Sequence, residues 1–187
     1  GINFIKKIVL LNYYLCIQVI SSQGPPPFPQ NIPEKCRGPP PAVERPHECC
    51  QFEPFFNPND FNECGFEKLG EGGQPPRGPP DCSKQICLMK KYKLTKSDDT
   101  PDFEAMKKFL EDYAEKYPAF KPTIEKAKEC VKEELPGPPN VCLANRMVFC
   151  VGSVMMFECP AENWSQTDGC KTLKEHMQEC KPFFLKQ

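Results

Sequence analysis

The sequence predicts an all-α fold: a compact bundle of about six or more short helices, cross-linked by about six disulfides, with a proline-rich irregular N-terminal third. Three observations predict it. Apolar residues recur at helical spacing from Asp81 onward. No alternating polar and apolar run long enough for a sheet occurs after residue 22. The chain carries 13 cysteines in 187 residues, and 12 of them follow a leader-like start, an even number that points to pairing.

Residues 1–22 read as a secretory signal peptide: Lys6 and Lys7, then an apolar run from Ile8 to Ile20, then Ser21 and Ser22, with Pro25, Pro26 and Pro27 close behind. The run is too short for a membrane span, which needs about 20 apolar residues. Its removal takes Cys16 and two lysines, so the formal charge moves from −1 to −3. The expected mature protein, residues 23–187, is a single disulfide-rich helical domain, secreted and not membrane-embedded.

Within it, residues 23–80 form a stapled segment. Fifteen of the 23 prolines lie between 25 and 80, and Gly-Pro-Pro recurs at 24, 38, 78 and 137 with a spacing too irregular for collagen. Extended loops tied by Cys36, Cys49, Cys50 and Cys64 are expected there. One short helix is predicted from Asp60, acting as cap, to Leu69, with Phe61, Cys64 and Leu69 inward.

Residues 81–187 form the helical core and its C-terminal extension. Asp81 reads as the cap of a helix that begins at Cys82 and carries Cys87. Thr100 and Pro101 read as cap and first turn of a helix whose stripe is Phe103, Met106, Phe109, Leu110, Tyr113 and Tyr117, ended by Pro118. Pro122 starts the next, which turns Ile124, Ala127, Val131 and Leu135 inward before Pro136. Asn140 reads as the cap of a helix over 141–157 that is apolar on nearly every side, a mark of a central helix. Cys170, Leu173, Met177 and Cys180 share one face of a last helix. Cys130, Cys142, Cys150 and Cys159 coincide with these apolar stripes, so bridges between helices are expected, although the pairing stays open.

The same reading excludes function classes. Lys plus Arg number 24 against 25 Asp plus Glu, so no positive field exists to hold nucleic acid. Catalytic templates are unfilled: there is no G-x-S-x-G, no H-E-x-x-H and no phosphate loop, and the two histidines, His47 and His176, read as solvated or cap-forming. No enzyme, cofactor or metal is expected, since the near cysteine pairs Cys49-Cys50 and Cys82-x4-Cys87 do not match structural zinc spacing. Asn163-Trp164-Ser165 fits the N-glycosylation pattern, with Asn163 as acceptor. Six Met and 14 Phe remain, and most of those after residue 100 fall on predicted inward faces. They serve either as plain core or as the wall of an apolar cavity.

The run Cys150-x8-Cys159-Pro160, with x10 between Cys159 and Cys170 and x9 between Cys170 and Cys180, resembles the Plus-C subclass of insect odorant-binding proteins. So do the long interval from Cys87 to Cys130 and the stretch Cys-Pro-Ala-Glu-Asn-Trp over 159–164. The resemblance spans about Cys36 to Cys180. It implies a soluble carrier that takes up small hydrophobic odorants reversibly and delivers them to membrane chemoreceptors in olfaction. Under that reading the candidate pocket wall is Phe103, Met106, Phe109, Leu110, Tyr113, Tyr117, Met147, Val148, Val151, Val154, Met155 and Phe157. The hydroxyls of Tyr113 and Tyr117 are then candidates to orient a polar ligand head.

A second reading belongs to another class: a secreted inhibitor or interaction protein that presents residues 70–80, with Arg77 projecting, to a protein partner. Phe28, Phe55, Phe56, Phe183 and Phe184 fall in irregular flanks and are expected to be exposed. Both monomer and homodimer are therefore open.

Overall fold

A computed structural model describes residues 32–37, 48–66 and 81–184. The predicted signal peptide, the loop 70–80 and His47 lie outside these residues. Among the described residues there are six α-helices and no strands: α1 Pro58–Glu63, α2 Cys82–Lys91, α3 Phe103–Lys116, α4 Lys121–Ala127, α5 Leu143–Phe157 and α6 Asp168–Phe184. Short 3-10 turns occupy Glu34–Cys36, Pro118–Phe120, Lys128–Cys130 and Ala161–Asn163. Helix α5 packs against α2, α4 and α6, as its all-round apolarity requires, while α3 packs on α4 and α1 on α2. No described helix is long and apolar enough to cross a membrane.

All twelve cysteines after residue 22 are paired. Cys64–Cys87 joins α1 to α2, Cys82–Cys142 joins α2 to the start of α5, and Cys130–Cys150 joins the end of the α4 region to the middle of α5. The other three, Cys36–Cys180, Cys49–Cys170 and Cys50–Cys159, tie the N-terminal segments to the C-terminal region across 109 to 144 residues of chain.

Helix boundaries differ from the sequence expectation where local hydrogen bonds decide. In α1 the cap is Asn57, whose side chain accepts from the Asn59 amide at 2.9 Å with Pro58 as first helical residue; Asp60 sits inside the helix. The helix stops at Glu63 because Gly65 adopts φ +76°, and the Gly65 and Phe66 amides turn back to the carbonyls of Asn62 and Phe61. Asp81 caps α2 as predicted, accepting from Ser83. In α3 the cap is Asp102, which accepts from the Ala105 amide at 3.0 Å. Thr100 is a donor instead, giving its amide and hydroxyl hydrogens to Asp98, and Pro101 is paired with Thr95 in an isolated bridge.

The predicted helix from Pro122 to Leu135 is shorter than expected. It winds as α4 to Ala127, tightens to a 3-10 turn through Cys130, and leaves helical geometry at Val131. Glu133 and Glu134 would sit at the negative end of a longer helix, and Pro136 disfavours helical geometry at Leu135. Arg146 of α5 holds the resulting loop: its Nη1 donates to the Leu135 carbonyl at 2.8 Å, and its stem occupies the space a side chain at Gly137 would need. Asn140 is exposed and caps nothing. Helix α5 begins instead at Leu143, with Cys142 at the cap position and no side-chain cap bond. Ile124, Ala127, Val131 and Leu135 are nonetheless all buried, as are Cys170, Leu173, Met177 and Cys180 along α6.

Candidate functional site

Every methionine of the chain, Met89, Met106, Met147, Met155, Met156 and Met177, is buried in one apolar cluster built from α2 to α6. Of the twelve predicted wall residues, Met106, Leu110, Tyr113, Met147, Val151, Val154 and Met155 are buried in that cluster, and Phe103, Phe109, Tyr117 and Phe157 pack half-buried against it. The helical stripes bring them together because α3 and α5 both lie against α4, turning their apolar faces toward a shared interior. Val148 is half-buried and does not join the cluster among the described residues; its neighbour Phe149 is 36% exposed.

The N-terminal segment contributes side chains that periodicity does not predict. Phe55 and Phe56, expected to be exposed, lie half-buried across α3. Phe55 meets the ring of Tyr113 at 4.5 Å, and Phe56 stacks on Phe109 at 5.7 Å and 13° while its edge meets Tyr92 at 4.9 Å. Phe52 reaches Phe120, and Tyr113 reaches both Phe120 and Tyr117. The result is a continuous aromatic belt from Phe66 and Phe61 to Tyr117, in tilted and edge contacts with one stacked pair, Phe56 on Phe109, at centroid separations that suit ring quadrupoles. Three aromatic residues around one proline, Phe52, Phe55 and Phe56, were the available signal, since side chains of that size in a stapled segment have a core within reach. Phe183 packs on the small cluster of Ile32, Cys36 and Cys180. Phe28 and the side chain of Phe184 lie outside the described residues.

Polar groups in and around this interior are few. The Tyr113 hydroxyl donates to the Glu53 carbonyl at 2.9 Å, and burial pushes its ionisation far above the ordinary phenol range. The Tyr92 hydroxyl accepts from the Asn57 amide and donates to Asp60. Burial raises the Tyr92 phenol as well, whereas the hydrogen bond from Tyr92, followed by Lys91, lowers the Asp60 carboxyl despite some desolvation. Thr123 donates to the Glu158 carbonyl at 2.6 Å. Gln85 and Asn145 are two further buried polar side chains, on α2 and α5.

The belt is locked at one end by a clamp between termini. The Gln51 amide donates to the Asn163 carbonyl at 2.8 Å and the Ser165 amide donates to the Cys49 carbonyl at 2.7 Å, with bridges Cys49–Cys170 and Cys50–Cys159 on either side. Trp164 is buried there, its Nε1 donating to the Cys170 carbonyl at 3.0 Å and its ring covered by the Lys174 ammonium. Asn163 Nδ2, the atom a glycan would occupy, donates to the Gln51 carbonyl at 2.9 Å. Among the described residues no set of three or more His, Cys, Asp or Glu side chains is arranged to hold a metal ion.

No family model matches the chain. It is similar to general odorant-binding protein 68 of Anopheles gambiae, with 23% identity over 194 aligned positions that cover 95% of this chain and 85% of the relative. It is also similar to general odorant-binding protein 67 of the same mosquito, with 28% identity over 159 positions that cover 75% and 76%. These two likenesses support an odorant-binding protein family for the chain.

Proposed function

We propose that this protein is a secreted, non-enzymatic carrier that reversibly binds small hydrophobic odorant-like molecules among the methionine and aromatic side chains of α3 and α5. The observation that carries the reading is the likeness to two general odorant-binding proteins over most of the chain. The interior supports it. Methionines adapt to ligands of irregular shape, aromatic rings supply flat apolar walls, and disulfides keep the bundle folded without demanding a completely filled centre. The Cys150-x8-Cys159-Pro160 run favours the Plus-C subclass, and delivery to a membrane chemoreceptor follows from it as the purpose of carriage. Asn163 is the glycan acceptor in this reading: attachment leaves one hydrogen on Nδ2, sufficient for its bond to Gln51.

Burying ~250–300 Å² of apolar ligand surface at ~25 cal/mol per Å² gives ~6–7.5 kcal/mol before ordering costs, which caps the affinity in the micromolar range suited to release. The test is displacement of a fluorescent apolar probe from the oxidised protein by a panel of volatiles, repeated after reduction. Saturable micromolar binding that disappears on reduction supports the carrier. An oxidised, folded protein that binds no probe contradicts it.

A further inference from the structure

Gln85 is 3% exposed on α2, and its carboxamide Nε2 is buried with no hydrogen-bond partner among the described residues. Among the described residues two other buried polar atoms share that state, but each belongs to a side chain anchored elsewhere: Arg146 through Nη1 to Leu135, and Asn163 through Nδ2 to Gln51. Gln85 has no such anchor among the described residues. Along α2 it lies three residues after Cys82 and four before Met89, so the three share one stripe. Cys82 is bridged to Cys142 at the start of α5, and Met89 is fully buried in the methionine cluster. The stripe therefore faces α5 and carries the Gln85 carboxamide into the apolar interior. A buried amide left unpaired is costly, and native proteins rarely keep one without a use.

We infer that Gln85 is the polar anchor of the carrier site, its Nε2 donating a hydrogen bond to the oxygen of a ketone, aldehyde, ester or alcohol ligand whose hydrocarbon part lies among the methionines. This rests on the carrier reading above and sharpens it, because it makes the preferred cargo oxygenated and assigns the discrimination to one side chain. The Tyr113 hydroxyl does not compete for that role, because its hydrogen is already committed to Glu53.

The experiment measures displacement of the fluorescent probe by a medium-chain unbranched ketone and by the alkane of equal length, on wild type, Gln85→Leu and Gln85→Met. A ketone accepts hydrogen bonds without donating them, so it reads the Nε2 donor alone. Wild type is expected to favour the ketone by roughly five- to tenfold, and both variants to lose that preference while still binding the alkane. The ligand-free variants are expected to melt no lower than wild type, because the amide they lose is unsatisfied. A preference that survives in both variants overturns this inference and leaves the carrier intact, whereas a wild type that binds the probe and neither ligand overturns the inference and its premise as regards such cargo. A ligand-free melting temperature that falls in both variants assigns Gln85 a structural role and also overturns it.

Discussion

The hydroxyl of Tyr113 on α3 donates to the carbonyl oxygen of Glu53, 60 residues earlier in the chain and 2.9 Å away. That bond, with the contact of the Phe55 ring on Tyr113, fastens the irregular N-terminal segment onto the helix that supplies half of the proposed wall. The wall is therefore built jointly by a helix and by a segment that has no regular structure of its own around it.

Tyr113→Phe keeps the ring and removes the donor. It is expected to cost about 1 kcal/mol, a fall in melting temperature of roughly 2–4 °C. Because burial holds the folded-state phenol above its unfolded value, the folded protein binds more protons than the unfolded one at alkaline pH. Stability is then fully present below about pH 10 and declines above it. Thermal melts of wild type and Tyr113→Phe across that range check both parts, the variant showing the shallower alkaline decline.

Helices α1 and α2 end in the same motif with different residues at the left-handed position. Gly65 takes φ +76° after α1, and Lys93 takes φ 57° after α2, where the Leu94 and Lys93 amides return to the carbonyls of Met89 and Lys90. A lysine bears a steric cost there that glycine does not. Lys93→Gly is expected to stabilise the protein by about 0.5–1 kcal/mol, and Gly65→Ala to destabilise it by about 1 kcal/mol, both read by denaturant midpoint. Space is not the issue at Gly65, where the nearest atom to an added Cβ is 3.8 Å away.

Glu158 follows α5 and binds lysines from both neighbouring helices, Lys126 of α4 at 2.6 Å and Lys181 of α6. Its side chain is 15% exposed. Desolvation pushes its carboxyl up, but the bonds from Lys126 and Lys181 outweigh this and hold it below the ordinary glutamate range. The pair energy is thus present above the unfolded value, near pH 4.3, and lost as pH falls through the depressed folded value. Glu158→Gln is expected to lower stability by about 1 kcal/mol or less at neutral pH, with the gap closing below about pH 4. A constant gap over the whole range would contradict it.

The bridges Cys49–Cys170 and Cys50–Cys159 join the same two segments, so they are not independent. With one intact, the other closes an effective loop of about a dozen residues, worth ~3 kcal/mol in the chain-entropy view. With both absent, Cys36–Cys180 still ties the two segments, so the second loss releases an effective loop of about two dozen residues and the combined loss is ~6–7 kcal/mol. Replacing each pair with alanines, singly and together, is expected to give a combined loss only slightly larger than the sum, because Cys36–Cys180 remains. Chemical denaturation of the three variants measures the coupling.

The helical core was legible because its signals are local. The stripe from Phe103 to Tyr117, the face from Cys170 to Cys180 and the Asp81 cap follow from 3.6-residue periodicity and one hydrogen bond each. Boundaries that depend on competition were not. Thr100 and Asp102 are both good caps, and the Asx turn at Asp98 takes Thr100 out of contention. Gly65 marked the end of α1 by its left-handed geometry, yet an amphipathic pattern continued beyond it. Among the wall residues, eleven of the twelve meet in one cluster. The contribution of Phe55 and Phe56 could not be read from periodicity, because their burial is set by bridges to residues more than 100 positions away. Gln85 was missed for the opposite reason: a glutamine on a helix reads as surface until the facing helix is in place.

The measurement that tests the central claim most directly is a methyl NMR titration of the oxidised protein, carbon-13 labelled at its methionine methyls, with a medium-chain ketone. The account predicts saturable micromolar shifts at Met106, Met147 and Met155, and at Met89 near Gln85, with smaller changes at Met177 on α6. Saturable binding that leaves the Met106, Met147 and Met155 signals unmoved would place the ligand elsewhere and contradict the account.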